Sequence, residues 1–194
     1  ICHAFVQPQA DGSLVAPGGY LEPQLITLAH AAGVKVLVSV GGADSVADAN
    51  FRTIAASAAL RTAFANSLES FCRTNGYDGV DLDWEFPSDA SDRANLNLMV
   101  QAIRARFDGA AAPAPDWLIT MAVSGSNWWA QWLDYATLTP LMDFYNLMTY
   151  DMTGSWLDHA AHNAPMVQGG NPYADLDVAE AVDYTLITRG IPAA

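Results

Sequence analysis

Five apolar runs recur along the chain: ICHAFV (1–6), VKVLVSV (34–40), YDGVDLDW (77–84), WLITMAV (117–123) and DFYNLMTY (143–150). Each has the pattern of a strand, and their near-continuous hydrophobicity predicts strands covered on both faces. Helical segments with identifiable ends lie between most of them. Ser57 is placed to cap AALRTAFANSLESFCRTN before Gly76, and Ser91 to cap DRANLNLMVQAIRARFD before Gly109. An earlier helix over about 21–32 stops at Gly33, and a last one over about 176–189 stops at Gly190. Residues 124–142 are less regular, with the adjacent Trp128 and Trp129 and one short helix. Strand–helix alternation at a spacing of roughly 30 to 40 residues predicts right-handed βαβ units and a parallel sheet. No linker or low-complexity tract divides the chain, so residues 1–194 are expected to form one domain.

The polar residues that interrupt this pattern fall at C-terminal strand ends. Ser39 with Gly41 and Gly42 closes the second run, Asp83 and Glu85 the third, Ser124 follows the fourth, and Tyr150 and Asp151 end the fifth. Both (β/α)8 barrels and open α/β sheets build their sites there. The third run carries the strongest signal. Side chains alternate along a strand, so Asp81, Asp83 and Glu85 point one way while Val80, Leu82 and Trp84 point the other. Stacked inward positions leading toward a mouth favour the barrel. Same-face neighbours lie about 6.6 to 6.8 Å apart along a strand, and desolvated carboxylates at that range resist simultaneous ionisation. At least one is expected to hold a proton at neutral pH, which yields an acid and a base from one residue type. Two alternatives stand beside this one. Three carboxylates are a ligand set for a hard divalent cation; a salt-bridged structural row would instead need cations, and Lys35 is the only lysine, with the arginines mainly on the expected helices.

Composition removes other classes of function. The formal net charge is -13, with eight Lys plus Arg against 21 Asp plus Glu. Such a charge repels phosphate backbones and anionic lipid, so neither nucleic acid nor membrane is an expected partner. No apolar run approaches the roughly eighteen residues of a membrane span. Cys2 and Cys72 are too few for a disulfide framework and are expected to be buried small hydrophobes, with a bridge between them as the alternative. His30, His159 and His162 lack metal-ligand spacing, so no zinc site is expected. The glycines after Ser39 are expected to permit a close turn and to bind nothing.

The segment DGVDLDWE, Asp78 to Glu85, resembles the D-G-x-D-x-D-W-E motif of glycoside hydrolase family 18 chitinases. SVGG (39–42) is similar to the family's S-x-G-G, MTYD (148–151) to its M-x-Y-D, and GSWLDHAAHNAP follows in the same order. The likeness runs from Ile1, which resembles the family's second barrel strand, to Arg189, ahead of its seventh. It implies a (β/α)8 TIM barrel of which about five βα units, strands 2 to 6, lie in this sequence. The chain also opens inside an expected strand without an initiator Met, so upstream sequence is expected. Strand edges left bare at 1–6 and 143–150 predict self-association.

The resemblance further implies retaining, endo-type hydrolysis of β-1,4-linked N-acetylglucosamine polymers, with chitin or chitooligosaccharides as partners, no cofactor, no metal, and a secreted, extracellular enzyme. Glu85 is the implied general acid and base. The substrate's own acetamido oxygen is the implied nucleophile, the substrate-assisted exception to the two-carboxylate scheme. Asp83 would bond the acetamido nitrogen and share a proton with Asp81, Tyr150 would hold the acetamido carbonyl, and Asp151 would bond the same sugar. Trp156 is the implied floor of the cleft. Trp128 and Trp129 follow a strand end, where an indole either stacks on a sugar face or packs. Met121 and Met148 are expected at inward positions near the mouth, and Trp84 in the core, with sugar contact as its alternative. A chitin-binding lectin and an endo-β-N-acetylglucosaminidase acting on N-linked glycans are the alternative readings; the presence of Glu85 argues against the lectin.

Overall fold

The protein is described by a computed structural model over residues 1–110, 116–167 and 177–193. Among these residues six strands form one sheet: β1 (Cys2–Pro8), β2 (Leu14–Val15), β3 (Leu37–Gly42), β4 (Gly79–Trp84), β5 (Leu118–Ser124) and β6 (Phe144–Met148), in the spatial order β2-β1-β3-β4-β5-β6. All five long strands run parallel, as the alternation with helices predicts, and only the two-residue β2 pairs antiparallel, with the end of β1. The sheet is curled. Strands in a flat sheet stand about 4.8 Å apart, which would separate β1 from β6 by roughly 19 Å. Yet Asn146 on β6 reaches Cys2 Sγ on β1 across 3.6 Å.

One face of this curl carries the core. Val38 and Val40, Val80, Leu82 and Trp84, and Ile119, Met121 and Val123 alternate onto the convex side, where α2 (Ser45–Ala56), α3 (Ala58–Asn75) and α4 (Ala90–Asp108) cover them with Phe51, Ile54, Phe64, Leu68, Leu96, Met99 and Ile103, all within 3% of full burial. At about 25 cal/mol per Å² of apolar surface removed from water, this layer is the main source of stability. Expected burial of both faces holds for β3 and β4, which are buried at every position. It fails for β1 and β6, where Phe5 and Phe144 are exposed.

The helix ends correct the sequence expectations in detail. Ser57 does cap α3, accepting from Leu60 N, and Gly76 ends it in the left-handed conformation. Ser91 does not cap α4: Asp89, in extended backbone, accepts from Asp92 N, and Ser91 lies inside the first turn. The sequence reading missed α2, which begins at the cap Asp44 and ends at Ser57, the residue that also starts α3. Residues 124–142 hold two short helices, α5 (Asn127–Ala130) and α6 (Tyr135–Leu138), and a 3₁₀ turn, not one helix. Helix α1 (Pro23–Ala31) lies where expected. Position 176 of the last expected helix lies outside the described residues; α7 (Val178–Asp183) starts on the cap Asp177 and continues as a π-helical turn. The expected bare edge at β1 is covered in part by β2, while β6 ends the sheet. Among the described residues no helix is long and apolar enough to cross a membrane.

Candidate active site

Parallel register places the polar residues of the central strands in one concave row. Ser39 of β3 pairs with Asp81 of β4, and Asp81 with Thr120 of β5, while Ala122 pairs with Asn146 of β6. Asp81, 3% exposed, is the hub of this row. Its Oδ2 accepts from Ser39 Oγ at 2.9 Å, and its Oδ1 accepts from Thr120 Oγ1 at 2.6 Å and Asn146 Nδ2 at 2.9 Å. All three donors are neutral. Among the described residues no ion pair involves Asp81, Asp83 or Glu85, so the row is not a salt-bridged one. Nor do three His, Cys, Asp or Glu side chains converge as a metal-ligand set among those residues.

Toward the mouth the environment changes. Asp83 is 6% exposed and, among the described residues, its Oδ1 has no hydrogen-bond partner. Burial, and then the charges of Glu85 and Asp81, push its pKa from 3.8 to about 7. Glu85 follows the end of the strand, half-buried, and its pKa is raised by burial and by Asp151. Tyr150 is raised by burial and by the carboxylates of Asp83, Glu85, Asp151 and Asp81, which keeps its hydroxyl proton in place beside them. The structure thus brings Asp81, Asp83, Glu85, Tyr150 and Asp151 near one another. Asp151 adopts a positive φ of 53° immediately after Tyr150.

Two glycines let the strands approach closely enough to build the row. A Cβ on Gly41, at φ 113°, would stand 2.2 Å from the carbonyl oxygen of Asp83, and one on Gly79, at φ 149°, 2.1 Å from that of Leu118. Both positions serve backbone contact, and Gly41 meets its neighbouring strand and not a turn. Asp78, the first acid of the motif, is structural: its Oδ2 accepts from Val36 N at 2.7 Å and contacts His30 Nε2 at 2.8 Å, tying β4 to the start of β3 and to α1.

The aromatic and methionine residues divide. Trp84 is in the core as expected, stacked on Phe51 with ring centroids 5.6 Å apart. Met148 is half-buried on the concave face, paired in register with Ser124. Met121 is not at the mouth. It lies one position beyond Thr120, so alternation turns it to the convex side, where it is 3% exposed among Trp84, Leu96 and Leu133. Trp129 stacks on Phe86, the residue after Glu85, at 5.0 Å and lines the same apolar pocket as Trp84, Met121 and Leu133. Trp128 is 71% and Trp156 66% exposed, and no described contact joins either to the acids. Cys72 is buried as expected, but Cys2 is exposed on the concave side, and both are free. Sequence reasoning missed Thr120 and Asn146; the signal was one polar residue in the middle of each of two apolar strands.

The family model of glycosyl hydrolases family 18 matches residues 1–194. The chain belongs to that family. Chitinase 1 of Aphanocladium album is 35% identical over 168 residues, which cover 82% of this chain and 38% of that protein, and chitinase A1 of Niallia circulans is 34% identical over 177 residues, 83% of this chain and 25% of that one. The chain therefore spans well under half the length of both. Among solved structures, an immunomodulatory chitinase from Trichuris suis superposes with a TM-score of 0.89 at 30% identity, and a group IV chitinase of Ostrinia furnacalis, in complex with allosamidin, with 0.87 at 27%; each comparison covers 97% of this chain and 54% of the other. The curled sheet with its outer helices is accordingly part of a (β/α)8 barrel, as expected.

Proposed function

We propose that this family 18 chain supplies the catalytic row for retaining, endo-type hydrolysis of β-1,4-linked N-acetylglucosamine polymers, chitin first among them, by a secreted enzyme. The observation that carries this reading is the contrast within the row: Asp81 is held by three neutral donors, whereas Asp83, two residues on, is buried, has no partner for its Oδ1 among the described residues, and is pushed to about pKa 7 by burial and two other carboxylates. A carboxyl group poised there takes up and loses a proton near neutral pH at little cost, as its role in the cycle requires. The chitinase names of the relatives support the substrate class.

Glu85 is the general acid in this scheme. Burial and Asp151 hold its proton against a solvent that would otherwise remove it, and it delivers that proton to the glycosidic oxygen as the bond breaks. The acetamido oxygen of the departing sugar's partner attacks the anomeric carbon, forming an oxazolinium ion. Asp83 accepts from the acetamido nitrogen and stabilises its positive charge, releasing its own proton toward Asp81. Tyr150 donates its retained hydroxyl proton to the acetamido carbonyl and keeps it in attacking geometry, and Asp151 bonds the same sugar. Glu85, now ionised, activates the water that opens the intermediate from the face the leaving group vacated, so configuration is retained.

The test is Glu85→Gln in the full-length protein, assayed on an unactivated N-acetylglucosamine oligomer with the anomer of the product read by NMR. A loss on the order of 10²–10⁴ in kcat is expected, with β product from the parent. Equal rates for variant and parent would sink the proposal.

A further inference from the structure

Glu85 accepts no hydrogen bond among the described residues, so its backbone must place it. The chain on either side, through the indole of Trp84 and the backbone of Phe86 and Ser88, is gripped from the helix layer by residues far from the substrate face. Trp84 Nε1 donates to Asp48 Oδ1 of α2 at 2.7 Å. The carbonyl of Phe86 accepts from Arg52 Nη2, one turn further along α2, at 2.8 Å. Ser88 N donates to Asp92 Oδ2 of α4 at 3.0 Å. These three anchors are one unit: Arg52 is paired with Asp48 at 3.0 Å and also with Asp92, and its guanidinium stands 5.8 Å from the centroid of the Trp84 ring.

We propose that Arg52, held between Asp48 and Asp92, is a positioning residue for Glu85. Its fork occupies two carboxylates and a carbonyl at once, which a single ammonium lacks the geometry to do. Arg52 touches no part of the row itself; it acts through Phe86. Asp48 is a partner in the same role, because it bonds both Arg52 and the indole of the residue before Glu85. A displacement of about 1 Å at a reacting group costs on the order of 10²-fold in rate, so the grip is expected to appear in turnover and not in substrate affinity.

The inference rests on Glu85 being the general acid, and the experiment separates the two ideas. Parent, Glu85→Gln, Arg52→Met and Arg52→Lys full-length proteins are compared on two N-acetylglucosamine oligosides, one with a sugar leaving group, which needs a proton to depart, and one with a dinitrophenyl leaving group, which does not. For Arg52→Met we expect kcat on the first substrate to fall about 10- to 100-fold with KM little changed, and a much smaller loss on the second. Arg52→Lys should recover part of the difference. An unchanged kcat, or equal losses on both substrates where Glu85→Gln discriminates between them, would overturn the positioning role. Equal losses for Glu85→Gln itself would overturn the acid assignment instead. Should Arg52→Met fail to fold, Arg52→Lys and Asp92→Asn carry the same comparison with the same outcomes.

Discussion

The amide of Asn146 donates to the carboxylate of Asp81 across 2.9 Å, although β5 lies between their strands. In a flat sheet such strands are about 9.6 Å apart, so this bond exists only because the sheet curls. Thr120 reaches the same oxygen from β5, at 2.6 Å and fully buried. Replacing Thr120 by Val keeps the shape and deletes one of three donors to a buried carboxylate. The expected cost is about 1–3 kcal/mol of stability at neutral pH, the cost of leaving a buried acceptor short of a partner. Urea unfolding measures it, and an unshifted midpoint would show that Asp81 does not depend on Thr120.

Asp83 predicts a stability that falls with pH. Its carboxyl titrates near 3.8 in an unfolded chain and near 7 in the fold, so within that window the unfolded state has released a proton that the folded state keeps. The stabilising contribution of the protonated form is fully present below 3.8 and is lost as pH rises through 7. Asp83→Asn removes the titration. The variant should match the parent in unfolding midpoint at the acid end and exceed it above neutrality, at the expense of activity. A midpoint difference that is constant across the range would contradict the raised pKa.

How much of this was visible in the sequence depends on whether a residue's neighbours set its phase. The strands and the row Asp81, Asp83, Glu85 were legible because carboxylates at every second position declare the face they share. The run WLITMAV has no such marker: apolar residues occupy both faces, and only the bond from Thr120 to Asp81 reveals that Thr120 points inward and Met121 outward. Asn146 stands out as a polar residue within an apolar strand, but its partner was not legible, since Asp81 belongs to a strand two places away. Helix α2 was missed because Ser57 serves both as its end and as the start of α3, leaving no gap of loop residues to mark two helices. Cys2 is exposed although a free cysteine is usually buried, because cysteine count and spacing do not tell which strand faces lie open.

Gly41 tests the close approach of β3 to β4. A methyl group there would stand 2.2 Å from the Asp83 carbonyl oxygen and 2.7 Å from the Phe51 ring, at a φ of 113° that side chains rarely adopt. Gly41→Ala must therefore push β4 away from β3 just where Asp83 is set. Strain of this kind costs at least about 1–3 kcal/mol before any loss of packing. Soluble yield and unfolding midpoint should both fall; Gly18→Ala, whose Cβ meets nothing within 4 Å, is the matched control. Parent-like stability in Gly41→Ala would mean that the strands are not so closely apposed.

Asp151 offers a test of the electrostatics with a definite sign. Burial contributes most to the raised pKa of Glu85, and the negative charge of Asp151 adds to it. Glu85 must carry its proton when the glycosidic bond breaks, so the alkaline limb of the kcat/KM profile follows its pKa in the free enzyme. Asp151→Asn keeps the size and hydrogen-bonding capacity of the side chain and removes the charge. The proton on Glu85 is then held less tightly, and the alkaline limb should move to lower pH. Because Asp151 is also proposed to bond the sugar, the variant loses affinity as well, but that loss scales the whole profile without moving its limbs. A limb that stays in place, or moves toward higher pH, would show that Asp151 does not act on Glu85 through its charge.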